Sequence, residues 1–256
     1  MSRSFRAEIR ENRPLNGNHN LLSLHPLEPM VDPRPGQFYM VEVSRGYDPL
    51  LKRAFSLFRK TGDGFQIFYR IKGKGTTILR ELKAGTTVDL LGPLGNGYPL
   101  PRADQRPIVM AGGIGIASVF SLAEGLKDRA HLFYGARIGD EIFMADEMGA
   151  WKHDLVVCTD DGSCGRRGTV VDALADLLKD GLEKDVKPVI YACGPTPMLK
   201  EIAMVSIERR IPAYLSLEEH MACGIGACLG CVVKTRDGYR RVCKEGPVFE
   251  ASEIIW

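Results

Sequence analysis

The sequence lacks several features that mark common classes of protein. It has no large excess of one charge, because 34 Lys and Arg residues stand against 32 Asp and Glu residues. This balance gives no electrostatic reason to expect nucleic acid or an anionic membrane as a partner. The longest uncharged run, 107–123, contains three glycines. It is shorter than the roughly 20 apolar residues that a membrane-spanning helix needs.

The N-terminus has no apolar segment, since its first residues read MSRSFRAEIREN. A secretory signal requires such a segment, so none is expected here. The seven cysteines are an odd number, which argues against a framework of disulfides. We therefore expect a cytoplasmic protein. Its 256 residues are enough for two or three small domains.

The first hundred residues predict antiparallel β-structure. Short runs rich in aromatic and β-branched residues occur at 37–43, 53–59, 65–71 and 86–91. The turn-forming sequences DPRPG, TGDG and KGKG separate them. Regular short strands with such turns favour a small antiparallel β-barrel. The run GPLGNGYPLP interrupts every regular pattern, so we place the end of this first domain, 1–101, within it.

From Pro107 the pattern changes to alternating strands and helices. The apolar run PIVMA precedes a helical stretch that ends near Leu126, and further strands are predicted at 131–135, 155–159 and 188–193. Helical patterns cover 169–179 and 198–208. This alternation predicts a multidomain chain in which an α/β domain, 102–212, holds a parallel sheet with helices on both faces. The rest, 213–256, is cysteine-rich and too small for a core of its own.

The C-terminal segment carries four cysteines with the spacing C-x4-C-x2-C-x11-C: Cys223, Cys228, Cys231 and Cys243. The x4 and x2 intervals are typical of plant-type [2Fe–2S] ligands. Small residues between the thiols let the backbone approach a cluster closely and point its N–H groups at the sulfurs. A structural zinc site is the alternative, but zinc sites usually show paired C-x2-C units.

Two further motifs indicate a nucleotide site. MAGGIGIAS follows a strand and opens a helix, and Gly112, Gly113 and Gly115 allow a pyrophosphate to approach the helix N-terminus. The dinucleotide fingerprint is incomplete, because Ser118 occupies the third glycine position, and a plain tight turn remains the alternative. Cys193 ends the strand of YACGPTPM at the edge where α/β sheets bind ligands. Taken in isolation, Cys193 is better interpreted as a buried structural cysteine.

The motifs RAFS, GGIGIA and CGPTPM, in this order, resemble the ferredoxin–NADP reductase superfamily. With GPLGNG, TDDGSCGRRG and SLEEHMACGIGACLGC added, essentially the whole chain is similar to the electron-transfer subunits of bacterial dihydroorotate dehydrogenases. The resemblance implies FAD on the barrel domain, NAD on the α/β domain and a [2Fe–2S] cluster on the C-terminal domain. FAD would then connect NAD, which exchanges two electrons as hydride, to the cluster, which exchanges one electron at a time.

The resemblance also implies site residues. Arg53 would pair with the FAD pyrophosphate and Ser56 would lie beside the flavin, while Ala54 replaces a family proline. The implied FAD set is Arg53, Ala54, Phe55, Ser56, Tyr69, Arg70, Ile71, Gly75, Thr76 and Thr77. The implied NAD set is Gly112, Gly113, Gly115, Cys193, Gly194 and Pro195, and the implied cluster ligands are the four cysteines. Hydride transfer needs no acid–base or nucleophilic group, so no catalytic residue is expected.

The coenzyme choice stays open in the sequence. The loop TDDGS, 159–163, resembles a contact of the nicotinamide nucleotide but reads equally as a solvated turn. Three arginines are candidates for binding the 2′-phosphate of NADP: Arg137, Arg166 and Arg167. The sequence therefore leaves both NAD and NADP open.

The resemblance implies a partner. The three predicted domains account for all residues of the chain. They leave no room for the (β/α)8 barrel of roughly 250 residues that would oxidise dihydroorotate on FMN. An FMN-containing catalytic subunit is therefore expected, in a heterotetramer of two copies of each chain, with the cysteine segment at the interface. The expected role is electron transfer to NAD in pyrimidine biosynthesis. Flavin and iron–sulfur subunits of NADPH–ferredoxin oxidoreductases, sulfide dehydrogenases and soluble hydrogenases are the nearest alternatives. A non-catalytic, zinc-stabilised nucleotide-binding module is the most distant one.

Overall fold

The computed structural model describes residues 3–126, 130–151, 154–182 and 186–256. The strands of the N-terminal half are β1 (Arg3–Pro14), β2 (His19–Pro26), β3 (Phe38–Val41), β4 (Arg53–Ser56), β5 (Arg59–Lys60), β6 (Phe65–Arg70) and β7 (Thr87–Leu94). Those that follow are β8 (Gln105–Gly112), β9 (His131–Ala136), β10 (Asp154–Thr159), β11 (Arg166–Arg167), β12 (Lys187–Cys193), β13 (Ala213–Ser216), β14 (Val232–Thr235), β15 (Gly238–Arg241) and β16 (Val248–Glu250). The helices are α1 (Lys74–Glu81), α2 (Ile116–Gly125), α3 (Ala145–Gly149), α4 (Val170–Asp180) and α5 (Thr196–Arg209). Within these described ranges, no helix has the length and apolar character needed to cross a membrane.

The N-terminal sheet is antiparallel, with the order β4-β3-β7-β1-β2-β6-β5. Its first two strands, β1 and β2, were absent from the four predicted strands. In β1 only Phe5, Ala7 and Ile9 face the core, while charged residues occupy most of the other positions. Because a strand buried on one face needs only every second residue to be apolar, the overall polarity of β1 concealed it.

The sheet curls without closing through a continuous ladder, since β4 and β5 are its two edges. The short connection between them spans the gap. Leu57 N–H donates to the Gln37 carbonyl at 2.9 Å, and Phe58 N–H donates to the Gln66 carbonyl at 3.0 Å. The predicted antiparallel sheet is therefore confirmed, but as a curled half-barrel rather than a fully hydrogen-bonded barrel.

The sequence KGKG, which was predicted to be a turn, instead opens helix α1. The Thr76 hydroxyl accepts the N–H groups of Lys72 at 2.9 Å and Gly73 at 3.2 Å. A hydroxyl near a helix start satisfies N–H groups that have no intrahelical partner. This hydrogen bonding, rather than apolar periodicity, sets the start of the helix.

The second sheet has the order β11-β10-β9-β8-β12-β13-β16 and is parallel except for β16. Alternate residues of β8 pack on opposite faces: Val109 lies in the same apolar cluster as α2, and Ile108 in that of α4 and α5. The predicted parallel sheet with helices on both faces is confirmed. The strand order reverses at β8 and β12, so their adjacent carboxyl ends form the crevice where open α/β sheets bind ligands.

The structure divides the C-terminal part of the chain differently from the predicted boundary at 212. Strand β13 pairs in parallel with β12, and β16 pairs antiparallel with β13. Both strands come from the predicted third domain, and their residues Leu215 and Phe249 are buried in the core of the second sheet. A short segment without its own core gains apolar burial by extending a neighbouring sheet.

Candidate functional site

A cavity of about 690 Å³ lies at the carboxyl ends of the central parallel strands. Its wall includes five of the six residues predicted to bind NAD: Gly112, Gly113, Gly115, Gly194 and Pro195. The sixth, Cys193, is fully buried behind this wall. Arg70 reaches the same cavity from the N-terminal half-barrel, so the fold brings parts of both predicted nucleotide sites together.

The two glycine-containing motifs touch at the end of the sheet. A Cβ on Gly112 would lie 2.7 Å from both the Met198 sulfur and the Pro195 Cδ. A Cβ on Gly115 would lie 2.3 Å from the Cys193 carbonyl oxygen. Any side chain at these positions would separate β8 from β12. The free N–H groups at the start of α2 make this turn suitable for a pyrophosphate.

A buried polar network surrounds Cys193. The Ser118 hydroxyl donates to Ser216 Oγ at 3.0 Å and lies 3.4 Å from the Tyr98 hydroxyl. Burial raises the pKa of the Cys193 thiol well above its usual value, so the thiol remains protonated. A thiol that stays protonated is a poor nucleophile. Sequence reasoning noted Ser118 only as a missing glycine, because its partners are far away along the chain.

The predicted FAD residues come together on β4, β6 and the start of α1. The Phe55 and Tyr69 rings lie 5.5 Å apart, and the Arg53 guanidinium packs directly over Gly75. Arg53 also donates to the Leu51 carbonyl, which orients the guanidinium. A planar, permanently charged group beside a helix start suits a pyrophosphate. The residues present therefore fit the group.

The predicted FAD residues differ in accessibility. Tyr69 turns into the half-barrel core, where its hydroxyl donates to Asn12 Oδ1 at 3.1 Å, and burial raises its pKa to about 12. Its side chain therefore does not face a ligand. Ala54, Arg70 and Thr77 are exposed, and the remaining members except the buried Gly75 are half-buried: Arg53, Phe55, Ser56, Ile71 and Thr76.

The contact between Gly75 and Arg53 gives the first prediction. We expect Gly75→Ala to weaken FAD binding about tenfold while the chain still folds, because the new Cβ would lie 2.5 Å from Arg53 Nε and displace the flexible guanidinium. Gly62→Ala is the matched control, since a Cβ there meets nothing within 4 Å and the residue lies outside the predicted FAD set. Titration of apoprotein with FAD, followed by flavin fluorescence, measures both affinities. Equal affinities of the two variants would contradict the assignment of Arg53.

The segment that carries the four cysteines, 223–243, begins with a tightly curled loop. Gly224, Gly226 and Leu229 all have positive φ angles, of 70°, 83° and 57°. Glycine adopts such angles freely, but a leucine adopts them only at a cost in conformational energy. Strained residues of this kind occur most often at functional sites. The Arg241 guanidinium donates to the Gly226 carbonyl at 3.1 Å and holds the loop in this shape.

The four thiols are arranged as two neighbouring pairs. The Cys228 side chain lies near enough to Cys223 to help lower the pKa of the Cys223 thiol. The backbone N–H of Cys243 lies 3.5 Å from Cys231 Sγ. Cys231 and Cys243 are each only 2% exposed, whereas Cys228 is exposed. A binuclear cluster takes two thiolates per iron, which is the pattern that this arrangement offers.

The loop backbone stabilises thiolate at one end. Burial raises the pKa of Cys223, but the N–H groups of Cys228 and Ile225 donate to its sulfur and bring the pKa down to about 6. Burial, together with the neighbouring Cys231 thiol, raises the pKa of Cys243 to about 12. Among the residues that the structure describes, no three His, Cys, Asp or Glu side chains are arranged to hold a single metal ion. Two neighbouring pairs of thiols are the arrangement that the four ligand positions of a two-iron cluster require.

The linker GPLGNG holds the cysteine loop against the half-barrel. Asn96 N–H donates to the Gly246 carbonyl at 2.6 Å, and its side-chain amide donates to the Glu245 carbonyl at 2.9 Å. A Cβ on Gly224 would lie 2.6 Å from Met40 of β3, so the loop itself touches the half-barrel. The segment taken from the sequence as a domain boundary is thus the junction of all three regions.

Sequence reasoning missed several residues of the cavity wall. Glu218 follows β13 and faces the cavity, where the surrounding protein desolvates its carboxyl group and raises its pKa. Residues 232–234 of β14 and the C-terminal segment 254–256 complete the wall. Ile255 N–H donates to the Lys234 carbonyl at 3.0 Å and joins these two segments. No local pattern marks them, because only the packing of the C-terminal segment brings them to the cavity.

Comparison with protein families gives two matches. Residues 218–255 match the family model described as the iron-sulfur cluster binding domain of dihydroorotate dehydrogenase B. Residues 109–204 match the oxidoreductase NAD-binding domain. The first match covers all four cysteines, and the second covers the glycine turn and Cys193.

Two curated relatives extend the similarity to nearly the whole chain. The electron transfer subunit of dihydroorotate dehydrogenase B (NAD(+)) from Geobacillus kaustophilus is 42% identical over 233 residues, which are 87% of each chain. The electron transfer subunit homolog from Aquifex aeolicus is 36% identical over 260 aligned positions, covering 100% of both chains.

Solved structures share the fold. The NADH-dependent reduced ferredoxin-NADP oxidoreductase superimposes with a TM-score of 0.84 at 28% identity, covering 98% of this chain and 90% of that one. A ferredoxin NADP+ reductase from Neisseria gonorrhoeae with bound FAD and NADP has a TM-score of 0.68 at 19% identity, covering 80% of this chain and 91% of that one. The second similarity supports the fold alone.

Proposed function

The chain belongs to the family of the dihydroorotate dehydrogenase B electron transfer subunits, and we propose that it transfers electrons from an FMN-containing catalytic subunit to NAD in pyrimidine biosynthesis. The observation that carries this proposal is the presence of a paired-thiol loop and a dinucleotide cavity on one chain, each within a matching family domain. The full-length relative at 36% identity supports the same assignment.

The cofactors of this function are FAD, an iron–sulfur cluster and NAD. When bound, FAD exchanges electrons with NAD in pairs, as hydride, and with the cluster singly. We assign Arg53 and the start of α1 to the FAD pyrophosphate, and the turn Gly112–Gly115 to that of NAD. We assign the cluster to Cys223, Cys228, Cys231 and Cys243. No residue is proposed as an acid, base or nucleophile, and the protonated Cys193 only shapes the site.

The catalytic subunit is proposed to dock on the cysteine loop. Ile225 is 53% exposed and Leu229 is 61% exposed, and both lie beside the exposed Cys228. An apolar surface around a redox centre suits a protein contact that also excludes water. Docking there would bring the partner next to the exposed end of the cluster. We propose a heterotetramer with two copies of each chain.

This docking surface gives the second prediction. We expect Leu229→Asp to abolish co-purification with the catalytic subunit, because it places a charge in the centre of an apolar contact. Aspartate tolerates the positive φ of residue 229. Met204→Asp is the matched control, since Met204 is 54% exposed on α5, outside the loop. Pull-down of tagged chain measures the outcome, and the NADH–ferricyanide activity of each isolated chain reports its integrity. Undiminished capture by the Leu229 variant would refute this docking surface.

Two measurements test the proposed function. Anaerobically prepared protein is expected to show flavin and iron–sulfur absorption, with iron and acid-labile sulfide present. A colourless protein with stoichiometric zinc would refute the function and support the non-catalytic module. The captured partner should oxidise dihydroorotate. A ferredoxin-dependent partner would instead support the alternative related to the NADH-dependent reduced ferredoxin-NADP oxidoreductase, whose fold this chain shares.

We propose that the protein works in the cytoplasm. All seven cysteines are free thiols in the structure. Free thiols are usual in reducing compartments, where disulfides do not persist.

A further inference from the structure

One end of the coenzyme cavity carries an arginine that is already paired. Arg137 and Glu141 both line the cavity. The Arg137 Nε lies 3.2 Å from Glu141 Oε2, and its Nη2 donates to Glu141 Oε1. The guanidinium therefore makes a bidentate contact with the carboxylate through Nε and Nη2. The same two N–H groups would otherwise be available to bind a phosphate.

Glu141 is fixed by its surroundings more firmly than Arg137. Its side chain is 23% exposed against 74% for Arg137, and its carbonyl accepts the Tyr134 hydroxyl at 3.2 Å. Gly139, at the start of the same short turn, donates its N–H to Ser163 Oγ at 2.7 Å. The carboxylate therefore determines where the arginine lies.

The loop TDDGS supports this turn. Ser163 donates its hydroxyl to Asp161 Oδ1 at 2.6 Å, and its N–H to the same oxygen at 3.0 Å. Ser163 in turn accepts the N–H of Gly139. The loop therefore anchors the turn that carries Glu141, and its Asp161 N–H also donates to the Arg137 carbonyl at 3.3 Å. Its Asp160 lines the coenzyme cavity, so the loop is more than a solvated turn.

The position of this pair along the cavity identifies what it faces. The pyrophosphate position lies at the turn Gly113–Gly115, and Arg70 and Glu218 line the part of the cavity toward the half-barrel and the cysteine segment. The nicotinamide must lie toward the half-barrel, where FAD binds. The adenosine ribose then extends toward the ends of β9 and β10, where Arg137, Glu141 and Asp160 lie.

The charge at this end disfavours a phosphate. Arg137 contributes one positive charge, while Glu141 and Asp160 contribute two negative charges. Arg166, another arginine that the sequence offered for a 2′-phosphate, instead pairs with Asp176 at 2.7 Å. Arg167, the third candidate, packs beside Gly162 of the loop and does not line the cavity. A 2′-phosphate carries close to two negative charges near neutral pH, so it would meet more negative than positive charge among the side chains that line this end. A free ribose hydroxyl has no such cost and donates hydrogen bonds to carboxylates.

We propose that Glu141 is a specificity residue that directs this site to a dinucleotide without a 2′-phosphate, by occupying the face of the Arg137 guanidinium that would otherwise bind the phosphate. This inference rests on the proposed function, since it concerns the same coenzyme site. Glu141 acts through Arg137 and is a positioning residue.

The test is the ratio of the two coenzyme affinities in the FAD-loaded protein. We expect Glu141→Gln to lower the ratio of the Kd for NADP+ to the Kd for NAD+ about tenfold, because the released guanidinium is then free to pair with the 2′-phosphate. The double variant Glu141→Gln with Arg137→Ala should return the ratio to its original value. Calorimetric titration with NAD+ and NADP+ gives each Kd, and a thermal melt shows that each variant is folded.

A matched control releases a different arginine. Asp176→Asn frees Arg166, which does not line the cavity, and should leave the ratio unmoved. The inference is overturned if Glu141→Gln leaves the ratio unchanged, if Arg137→Ala does not cancel the change, or if Asp176→Asn produces the same change. Each of these results leaves the proposed function intact. Failure of the unmodified protein to bind either nucleotide would instead refute the proposed function.

Discussion

Cys228→Ser is expected to remove the iron–sulfur cluster and to lower electron transfer from the catalytic subunit at least about tenfold, while NADH still reduces ferricyanide through the flavin. Cys228 is the exposed member of the thiol pair with Cys223. A serine hydroxyl does not ionise near neutral pH and cannot replace a thiolate ligand. Iron and acid-labile sulfide content, the visible spectrum and both activities measure the outcome.

Cys164→Ser is the matched control for this experiment. Cys164 is also a free, partly accessible cysteine, but it lies beside Gly139, outside the cysteine loop. Its replacement should leave iron content and both activities unaltered. A Cys228 variant that retains full iron and sulfide would show that the loop does not ligate the cluster. Loss of ferricyanide reduction along with the cluster would show that the flavin site depends on the loop.

The second large effect is expected for Gly115→Ala. The new Cβ would lie 2.3 Å from the Cys193 carbonyl oxygen, and that oxygen belongs to backbone that cannot rotate away. Strands β8 and β12 are paired directly before this contact, through Met110 with Ala192 and Ala111 with Cys193. The helix start must therefore move, and overpacking of this kind costs about 1–3 kcal/mol of folding free energy.

The displaced turn also loses its fit to the coenzyme. We expect the rate of flavin reduction by NADH to fall about a hundredfold, because a small displacement of a positioning element costs that much. Stopped-flow absorbance measures this rate, and urea denaturation measures the stability. The FAD affinity should be retained, since Arg53 and α1 are remote in the chain and contact other residues.

Gly125→Ala, in the same helix, is the control for Gly115→Ala. A Cβ at Gly125 meets nothing within 4 Å, and the residue lies in the last turn of α2. Alanine is the better helix former, so this variant should be neutral or more stable by up to about 1 kcal/mol. If the Gly115 variant reduced flavin as fast as the Gly125 variant, the glycine turn would not hold the coenzyme.

The parts of the proposed site that could be predicted from the sequence depend on local spacing. Residues 223–231 bring three thiols together within one loop, so binding of a metal cluster can be predicted from the cysteine spacing without knowledge of the fold. The glycine turn is similar, because a strand, a turn and a helix start are consecutive in sequence. In both cases the geometry is set by a few neighbouring residues, and small residues are required by close backbone approach.

The parts that could not be predicted depend on distant contacts. In the sequence, Ser118 is only a departure from the glycine pattern of a dinucleotide site. The structure shows that its hydroxyl contacts Ser216 and Tyr98. Arg137 and Arg166 read as candidates for a phosphate until their carboxylate partners are visible. The charge of a side chain is fixed by its type, but whether that charge is available is fixed by what packs beside it.

The sequence by itself determined the strand and helix class of the first two regions through hydrophobic periodicity, and it indicated a cluster and a nucleotide through the spacing of cysteines and glycines. The FAD site was implied only by the resemblance of the motifs to a known family. The tertiary structure alone decided the curled form of the first sheet, the addition of β13 and β16 to the second, and the wall of the coenzyme cavity at Glu218 and 254–256. These features arise from pairing between segments far apart in the chain. Such pairing is selected by the burial and hydrogen bonding of the whole fold, and no single segment encodes it.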